Sequence, residues 1–314
     1  MKALVLNEFG RRNFSIQDVP LPCISDDEVL IKVEYAGIGE WDQFEIDGGY
    51  HKMLGIEHNF PYICGSEGSG VIQDKGANVT NLNVGDWVYA CSFLNTKGGF
   101  FAEYIAVHQD FVKPIPKNLS YKSASAILGV GTVALRGIQK LDLSKDDNII
   151  IHGASGGVGH LAIQFAKCTT NNVMGIASGE DGISLCKSYG INSINGKTRL
   201  KTLNFSIYNK MLLTTSLDEY VQHVLCMKQP ATIAYPVGRY SVPEINSNSI
   251  KIIPYYGELD KEIINQCDNY IQKYNLKCTI SNIFSIHDYV DAYNQLHEHY
   301  TGKLIFKMDF YNVR

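Results

Sequence analysis

Residues 147–167 read Asp-Asn-Ile-Ile-Ile-His-Gly-Ala-Ser-Gly-Gly-Val-Gly-His-Leu-Ala-Ile-Gln-Phe-Ala-Lys, and this stretch decides the fold. The isoleucines at 149–151 have the length and β-branching of a buried parallel strand. A glycine-rich turn follows, and after it comes a helical pattern of apolar residues, Leu161, Ile163, Phe165 and Ala166. A strand, a glycine turn and a helix in register predict a nucleotide-binding turn, with a purely structural turn as the alternative.

The turn has the order Ala154-x-Gly156-x-x-Gly159, one substitution away from the dinucleotide fingerprint. Gly156 has no Cβ, so a pyrophosphate can approach the main chain, and Gly159 lets the helix pack closely on the strand. The unpaired amides at the helix start then face the phosphates, where the helix dipole favours anions. The predicted cofactor-binding residues of this turn are Ala154, Ser155, Gly156, Gly157 and Val158.

Composition limits the classes of function. A chain of 314 residues with 45% hydrophobic content can bury a large core and by length indicates two domains. A net charge of −4 argues against a nucleic-acid partner. No apolar window is long enough to span a membrane, and the first six residues are typical of a strand rather than a secretory leader. We therefore expect a soluble cytoplasmic protein that acts on a small molecule, with no membrane partner.

The eight cysteines are scattered and form no C-x-x-C pair. In a reducing compartment this pattern predicts buried thiols rather than disulfides or a metal cluster.

The first 118 residues are rich in short strands separated by glycine turns, a spacing typical of a small β-barrel. The predicted strands are Ala3–Leu6, Glu28–Tyr35, Gly68–Asp74, Asp86–Ala90 and Phe101–Ala106. A helix over Ser120–Gln139, which Ser120 can cap, follows them.

From Asn148 to about Gly257, strands and helices alternate, which predicts a parallel, doubly wound sheet. The predicted strands are 148–152, 172–177, 210–215, 231–236 and 250–255, and the helices lie near 157–168, 181–189 and 217–228. The last segment contains a helix (Lys261–Tyr274), a strand (Lys277–Phe284), a helix (Ile286–Glu298) and a strand (Lys303–Phe310). We therefore divide the chain into a catalytic domain, 1–118 with 260–314, and a dinucleotide-binding domain, 119–259.

Six motifs occur in a fixed order: Met1-Lys2-Ala3, Gly65-Ser66-Glu67-Gly68-Ser69-Gly70-Val71, Gly85-Asp86-x-Val88, Gly98-Gly99-Phe100-Phe101-Ala102-Glu103-Tyr104, the glycine turn and Gly302-Lys303-Leu304. In these motifs the sequence resembles the medium-chain dehydrogenase/reductases, within the zinc-independent quinone oxidoreductase branch. The resemblance covers nearly the whole chain. It implies an α/β protein with a GroES-like β-barrel domain and a Rossmann domain, and an active site in the cleft between them. It also implies a nicotinamide cofactor and a homodimer.

The resemblance implies no metal. Zinc-dependent members have a catalytic cysteine where this chain has Gly39, and a ligand histidine where it has Ser66. Their third ligand falls near Gly129, which is again not a cysteine. Zinc needs about four nitrogen, sulfur or oxygen ligands in tetrahedral geometry, and Asp42 and Glu67 do not supply that set. We therefore expect no zinc.

The end of the second strand bears on the choice of cofactor. NAD-specific sites carry an acidic residue there, whereas this chain has Ser178-Gly179. A serine hydroxyl can donate to a 2′-phosphate, so the sequence favours NADPH. Glu180 and Asp181 weaken a phosphate site, and NADH use stays open. The fifth strand runs into Val237-Gly238, where family members offer backbone to the nicotinamide, although an ordinary turn explains this glycine equally well.

Without a Lewis acid, hydrogen bonds must stabilise charge that develops on a substrate oxygen, which suits a quinone or an enone better than an alcohol. The predicted catalytic residues are Tyr50, as the donor to that oxygen, and Asp42. Trp41, Phe44 and Tyr50 are the predicted substrate pocket, with core packing as the alternative. The sequence therefore predicts a zinc-independent NAD(P)H-dependent reductase. The alternatives are a dinucleotide-binding structural or regulatory protein with little turnover, and an alcohol dehydrogenase.

Overall fold

The computed structural model describes residues 1–199, 202–215, 224–238 and 248–311, which contain sixteen strands and nine α-helices. The strands are β1 (Lys2–Leu6), β2 (Phe14–Asp18), β3 (Glu28–Ile38), β4 (Tyr62–Ile63), β5 (Glu67–Lys75), β6 (Trp87–Cys91), β7 (Tyr104–His108), β8 (Val112–Pro114), β9 (Ile149–His152), β10 (Val173–Ala177), β11 (Asn192–Asn195), β12 (Lys210–Leu213), β13 (Ala231–Pro236), β14 (Ile250–Tyr255), β15 (Ile280–Ser285) and β16 (Lys303–Lys307). The helices are α1 (Glu40–Ile46), α2 (Gly49–Leu54), α3 (Tyr121–Ala124), α4 (Leu128–Lys140), α5 (Gly159–Lys167), α6 (Gly179–Ser188), α7 (Gly196–Arg199), α8 (Lys261–Tyr274) and α9 (Tyr289–Gln295).

The chain divides into two units. Unit 1 comprises Met1–Gly129, Leu259–Asp268 and Lys277–Arg314, and unit 2 comprises Val130–Glu258 and Asn269–Leu276. The boundary therefore falls inside α8. The division predicted from the sequence, at 118/119 and 259/260, stays a prediction.

Unit 1 contains two sheets built mostly from antiparallel pairs. One has the order β2-β1-β4, and the other has the order β15-β16-β3-β5-β6-β8, with β7 paired to β3. The long strand β3 pairs with β16, β5 and β7, so it joins the end of the chain to its beginning. Burial of apolar side chains from these strands forms one continuous core, including Leu4, Ile31 and Phe306.

Unit 2 is built on a six-stranded parallel sheet with the order β11-β10-β9-β12-β13-β14. This confirms the predicted doubly wound sheet. The isoleucines of β9 are fully buried, as expected for a central strand with both faces covered. Strand β9 pairs with β10 on one side and β12 on the other, so the strand order reverses there. Such switch points are where open parallel sheets bind ligands.

Most of the predicted elements are confirmed, and helix α8 has the predicted bounds. The predicted helix Ser120–Gln139 is wrong as one element because it divides into α3 and α4. Ser120 caps α3 by accepting a hydrogen bond from the Ser123 amide. The strand predicted at Phe101 begins only at Tyr104, since Phe101 donates its amide to the Cys64 carbonyl outside the sheet. The helix predicted near 217–228 falls largely on 216–223, outside the described residues.

All eight cysteines are free thiols. Five are buried, as predicted: Cys64, Cys91, Cys186, Cys267 and Cys278. The prediction is wrong for Cys23 and Cys226, which are exposed. Within the described ranges, no helix is both long and apolar enough to cross a membrane.

Tyr89 links the unit 1 sheet to α8, and this link generates a first prediction. The buried Tyr89 hydroxyl donates to Asp268 Oδ1 at 2.6 Å. Tyr89→Phe removes the donor and leaves Asp268 Oδ1 without this hydrogen bond, so we expect the free energy of unfolding to fall by about 1–3 kcal/mol. The measurement is the urea midpoint followed by circular dichroism. Tyr121→Phe, at an exposed tyrosine in the same unit, is the control. Equal midpoints for the two variants would contradict the prediction.

Candidate functional site

The glycine turn after β9 is held by hydrogen bonds to the neighbouring parts of the parallel sheet. Gly153 has a left-handed backbone at φ 84°, which only glycine adopts readily. Thr214 Oγ1 donates to the His152 carbonyl at 2.7 Å, and it would lie 2.6 Å from any Cβ at position 153. The Gly153 and Ala154 amides both donate to the Ile176 carbonyl of β10 at 2.9 Å. The turn is thus held by both neighbours of β9.

Gly159 and Gly156 have different roles. A Cβ at Gly159 would lie 2.0 Å from the Gly153 carbonyl oxygen. Helix α5 can therefore pack as closely on the end of β9 as it does only with glycine at position 159. A Cβ at Gly156 would meet nothing closer than the same oxygen at 3.4 Å, which is ordinary contact. The fold therefore requires Gly159 but leaves open space beside Gly156.

Backbone donors surround this open space. In the described part of the chain, no group accepts a hydrogen bond from the amides of Ser155, Gly157 or Val158. Val158 is the N-cap of α5 and provides no side-chain cap. Unpaired amides at a helix N-terminus favour an anion such as a diphosphate. The turn predicted from the sequence therefore has the donors and the space that a dinucleotide diphosphate needs.

The neighbouring βα turn lies close to this one. Ser178 is the N-cap of α6, and Glu180 and Asp181 lie in the first turn of that helix. A Cβ at Gly182 would be 2.8 Å from Ser155 Oγ, so α6 packs closely on the glycine turn. In unit 2 as well, the Val237 amide donates to the Tyr255 carbonyl at 2.8 Å, and nothing lies within 4 Å of a Cβ built at Gly238. Ser178 and Gly238 each follow the carboxyl end of a parallel strand.

In unit 1, helix α1 carries three of the four residues that the sequence predicts for catalysis and the substrate pocket. Its N-cap is Gly39, whose amide donates to Asp42 Oδ2 at 2.7 Å, so the carboxyl group closes the first helical turn. Asp42 is fully buried. Burial raises the pKa of Asp42 to about 8, with Glu45 and Glu67 adding to the rise and Lys303 opposing it. Asp42 therefore carries a proton near neutral pH.

Tyr50 lies on α2 between two aromatic rings. Its ring centroid is 4.8 Å from that of Phe44 and 4.9 Å from that of Phe93, both in edge-to-face geometry. Burial, with help from Glu45 and Asp42, raises the pKa of Tyr50 above its ordinary value, so its hydroxyl stays neutral. The structure thus brings Tyr50 and Phe44 together, and it adds Phe93, which the sequence did not single out.

Trp41 contacts a buried ion pair rather than the aromatic rings around Tyr50. The Lys303 Nζ is 4.4 Å from the centre of the Trp41 ring and 2.9 Å from Glu67 Oε1. Side-chain exposure is 2% for Lys303 and 1% for Glu67, so the pair is desolvated. The Nζ–Oε1 contact is an ion pair without the alignment of a hydrogen bond. Glu67 Oε2 accepts from the Gly129 amide at 2.8 Å. Lys303 was a motif residue without a predicted role.

These contacts fill the positions where the resemblance places zinc ligands. A Cβ at Gly39 would lie 2.7 Å from the Trp41 indole, and the amide near the third ligand position already binds Glu67. Ser66 offers only a hydroxyl in place of the histidine. Among the described residues, no group of three or more His, Cys, Asp or Glu side chains is arranged to hold a metal ion. The residues present do not fit a catalytic zinc.

Residues 25–117 match the alcohol dehydrogenase GroES-like domain family. An alcohol dehydrogenase of Geobacillus stearothermophilus is 30% identical over 214 residues, which are 60% of this chain and 62% of that protein. Quinone oxidoreductases of Sus scrofa and Mus musculus are also among the curated relatives. The chain spans about three-fifths of the length of the first curated relatives that it matches.

Solved structures match over nearly the whole chain. The quinone oxidoreductase of Coxiella burnetii has a TM-score of 0.83 and 25% identity, covering 98% of this chain and 99% of that one. The Escherichia coli quinone oxidoreductase complexed with NADPH has a TM-score of 0.82 and covers 98% of this chain and 100% of that one. At 15% identity it shows the fold alone. The predicted fold class, a GroES-like domain with a doubly wound sheet, is confirmed.

The raised pKa of Asp42 generates a second prediction. Between the ordinary pKa of 3.8 and about 8, the folded protein holds a proton that the unfolded chain releases. The contribution of Asp42 to stability must therefore fall as pH rises through this window, by up to about 1.4 kcal/mol per pH unit for one proton. We expect Asp42→Asn to flatten this dependence of the urea midpoint on pH. Asp18→Asn, at an exposed aspartate, should leave it unchanged. A wild-type slope that persists in Asp42→Asn would refute the assignment.

Proposed function

We propose that this chain, a member of the medium-chain dehydrogenase/reductase superfamily, is a zinc-independent, NAD(P)H-dependent reductase of quinones or α,β-unsaturated carbonyls. The observation that carries the proposal is the turn after β9. It combines open space at Gly156 with three amides that have no partner in the described chain. It lies where the strand order reverses. A merely structural turn requires Gly153 and Gly159 but has no need of a glycine at 156.

Unit 2 would hold the cofactor. The amides of Ser155, Gly157 and Val158 would bind the diphosphate, and Ser178 at the end of β10 would face the ribose. A serine there favours NADPH, while Glu180 and Asp181 in the same turn allow NADH to compete. Val237 and Gly238 would offer backbone groups to the nicotinamide. When bound, the nicotinamide supplies the hydride, and the protein contributes binding and alignment.

Unit 1 would serve the acceptor. The neutral hydroxyl of Tyr50 can donate a hydrogen bond to an acceptor oxygen as negative charge develops on it. Asp42 is proposed to act by closing the first turn of α1 and holding its proton at neutral pH, which keeps Trp41 and Phe44 in place. A conjugated acceptor delocalises the incoming electrons, so it needs no metal at the oxygen. The proposal extends to a homodimer, as the resemblance implies, and to a cytoplasmic location, as the composition predicts.

A third prediction tests the cofactor site. Gly156→Ala adds a methyl group where the fold has room but a diphosphate must approach. We expect it to weaken NADPH binding at least about tenfold in calorimetry, with a urea midpoint close to wild type. Gly159→Ala is the contrast, because its Cβ collides with backbone and lowers stability itself. Wild-type protein should bind NADPH more tightly than NADH. No binding heat with either cofactor would refute the proposal.

A fourth prediction tests turnover. Wild-type protein should oxidise NADPH in the presence of 9,10-phenanthrenequinone, benzoquinone or a 2-alkenal. Tyr50→Phe should lower kcat by about ten- to a hundredfold with little change in KM, because the lost hydrogen bond forms mainly in the transition state. Tyr121→Phe should retain the wild-type kcat. Cofactor binding without turnover on all three acceptors would favour the structural or regulatory alternative, and turnover of simple alcohols alone would favour an alcohol dehydrogenase.

A further inference from the structure

The Trp41 indole is held by contacts on both sides within unit 1. Its Cε2 and Cζ2 atoms lie 2.7 Å from the position of a Cβ at Gly39, so the indole occupies space left by the missing side chain. The Lys303 ammonium lies over the ring at 4.4 Å. Trp41 itself stays half-buried, on the face of α1 that also carries Phe44 three residues later. A side chain held in this way keeps part of its surface available to a ligand.

The ammonium has few other partners. Lys303 is desolvated, and its only ion-pair partner in the described residues is Glu67 at 2.9 Å. An ammonium has three donors, and none of those on Lys303 makes a hydrogen bond in the described residues, so the ammonium is held by charge and by its contact with the ring. The face of an indole attracts a cation strongly, and this attraction grows when water is excluded. The position of the indole is therefore coupled to the buried charge.

Glu67 fixes the ammonium in turn. Its Oε2 accepts from the Gly129 amide at 2.8 Å. Its side chain fills the space beside Gly37, where a Cβ would lie 2.7 Å from Glu67 Cγ. The chain of contacts from Gly129 through Glu67 and Lys303 to Trp41 thus consists of buried or closely packed groups. Motion of the indole would have to disturb a desolvated ion pair.

We propose that Lys303 is a positioning residue, which together with Glu67 holds the Trp41 indole as a fixed wall for flat acceptors. The inference deepens the proposed function, because it takes that function's acceptor site as given. Broad aromatic acceptors, with several fused rings, stack on this wall and depend on it. A single-ring acceptor has less surface to stack and depends on it less.

The test uses the two tryptophans of the chain. Trp87 stacks on Tyr121 at 3.8 Å and is not a predicted site residue, and Trp87→Phe leaves Trp41 as the single emitting indole. In that parent, Lys303→Met with Glu67→Gln removes the ion pair without stranding a buried charge. We expect time-resolved fluorescence anisotropy to gain a fast component of indole motion. Lys303→Arg in the same parent, with Glu67 unchanged, keeps the charge and its attraction to the ring. This variant should therefore show the slow decay of the parent.

Kinetics give the second readout. The double variant should raise KM for 9,10-phenanthrenequinone about tenfold, with KM for benzoquinone and both kcat values changed less than about twofold. Trp41→Leu, which leaves the ion pair intact, should reproduce the same selective loss and covers the case in which the double variant fails to fold. Lys2→Met with Asp18→Asn removes an exposed ion pair of unit 1 and should change neither readout.

Unchanged anisotropy in the double variant, or equal KM increases for both quinones, would overturn the inference. A fast component of indole motion in Lys303→Arg would also overturn it. If the parent turns over neither quinone nor a 2-alkenal, the proposed function fails, whereas the anisotropy still decides whether Lys303 positions Trp41.

Discussion

The close approach of backbone to backbone at Gly153 and Gly159 is the constraint on which unit 2 depends. Because Gly159 carries no Cβ, α5 rests directly on the Gly153 carbonyl at the end of β9, while the missing Cβ of Gly153 leaves room for the Thr214 side chain. The same helix is buried along nearly its whole length. The packing that stabilises the helix thus also places the amides that are proposed to bind the cofactor.

In unit 1, other side chains occupy the space beside the closely packed glycines. At Gly37 and Gly39 the vacant space is filled by Glu67 and by the Trp41 indole rather than by backbone. A buried ion pair is weak evidence for stability, because desolvation offsets the attraction between its charges. Its value here is geometric: the ammonium of Lys303 connects the end of the chain to α1. The position of the Trp41 indole is coupled to that connection.

Local patterns explain what the sequence could predict. The strand, glycine turn and helix at 147–167 are adjacent in the chain, so periodicity and glycine spacing are enough to find them. Glu67 and Lys303 are 236 residues apart, and no periodicity links them. The motif Gly302-Lys303-Leu304 marked the position without giving it a role. Likewise, the contact of Tyr50 with Phe93 joins α2 to the loop after β6, and the Gly129 amide near the start of α4 donates to a carboxylate from β5, so both contacts join residues distant in sequence.

The indole beside Gly39 also links positions of the chain that could otherwise vary independently. The Cβ of any side chain placed at position 39 would lie 2.7 Å from the Trp41 ring, so the indole would have to move or be replaced first. A smaller residue at position 41 would in turn uncover Lys303, whose side chain is 2% exposed. Redesign of the start of α1 must therefore change positions 39, 41 and 303 together rather than one at a time.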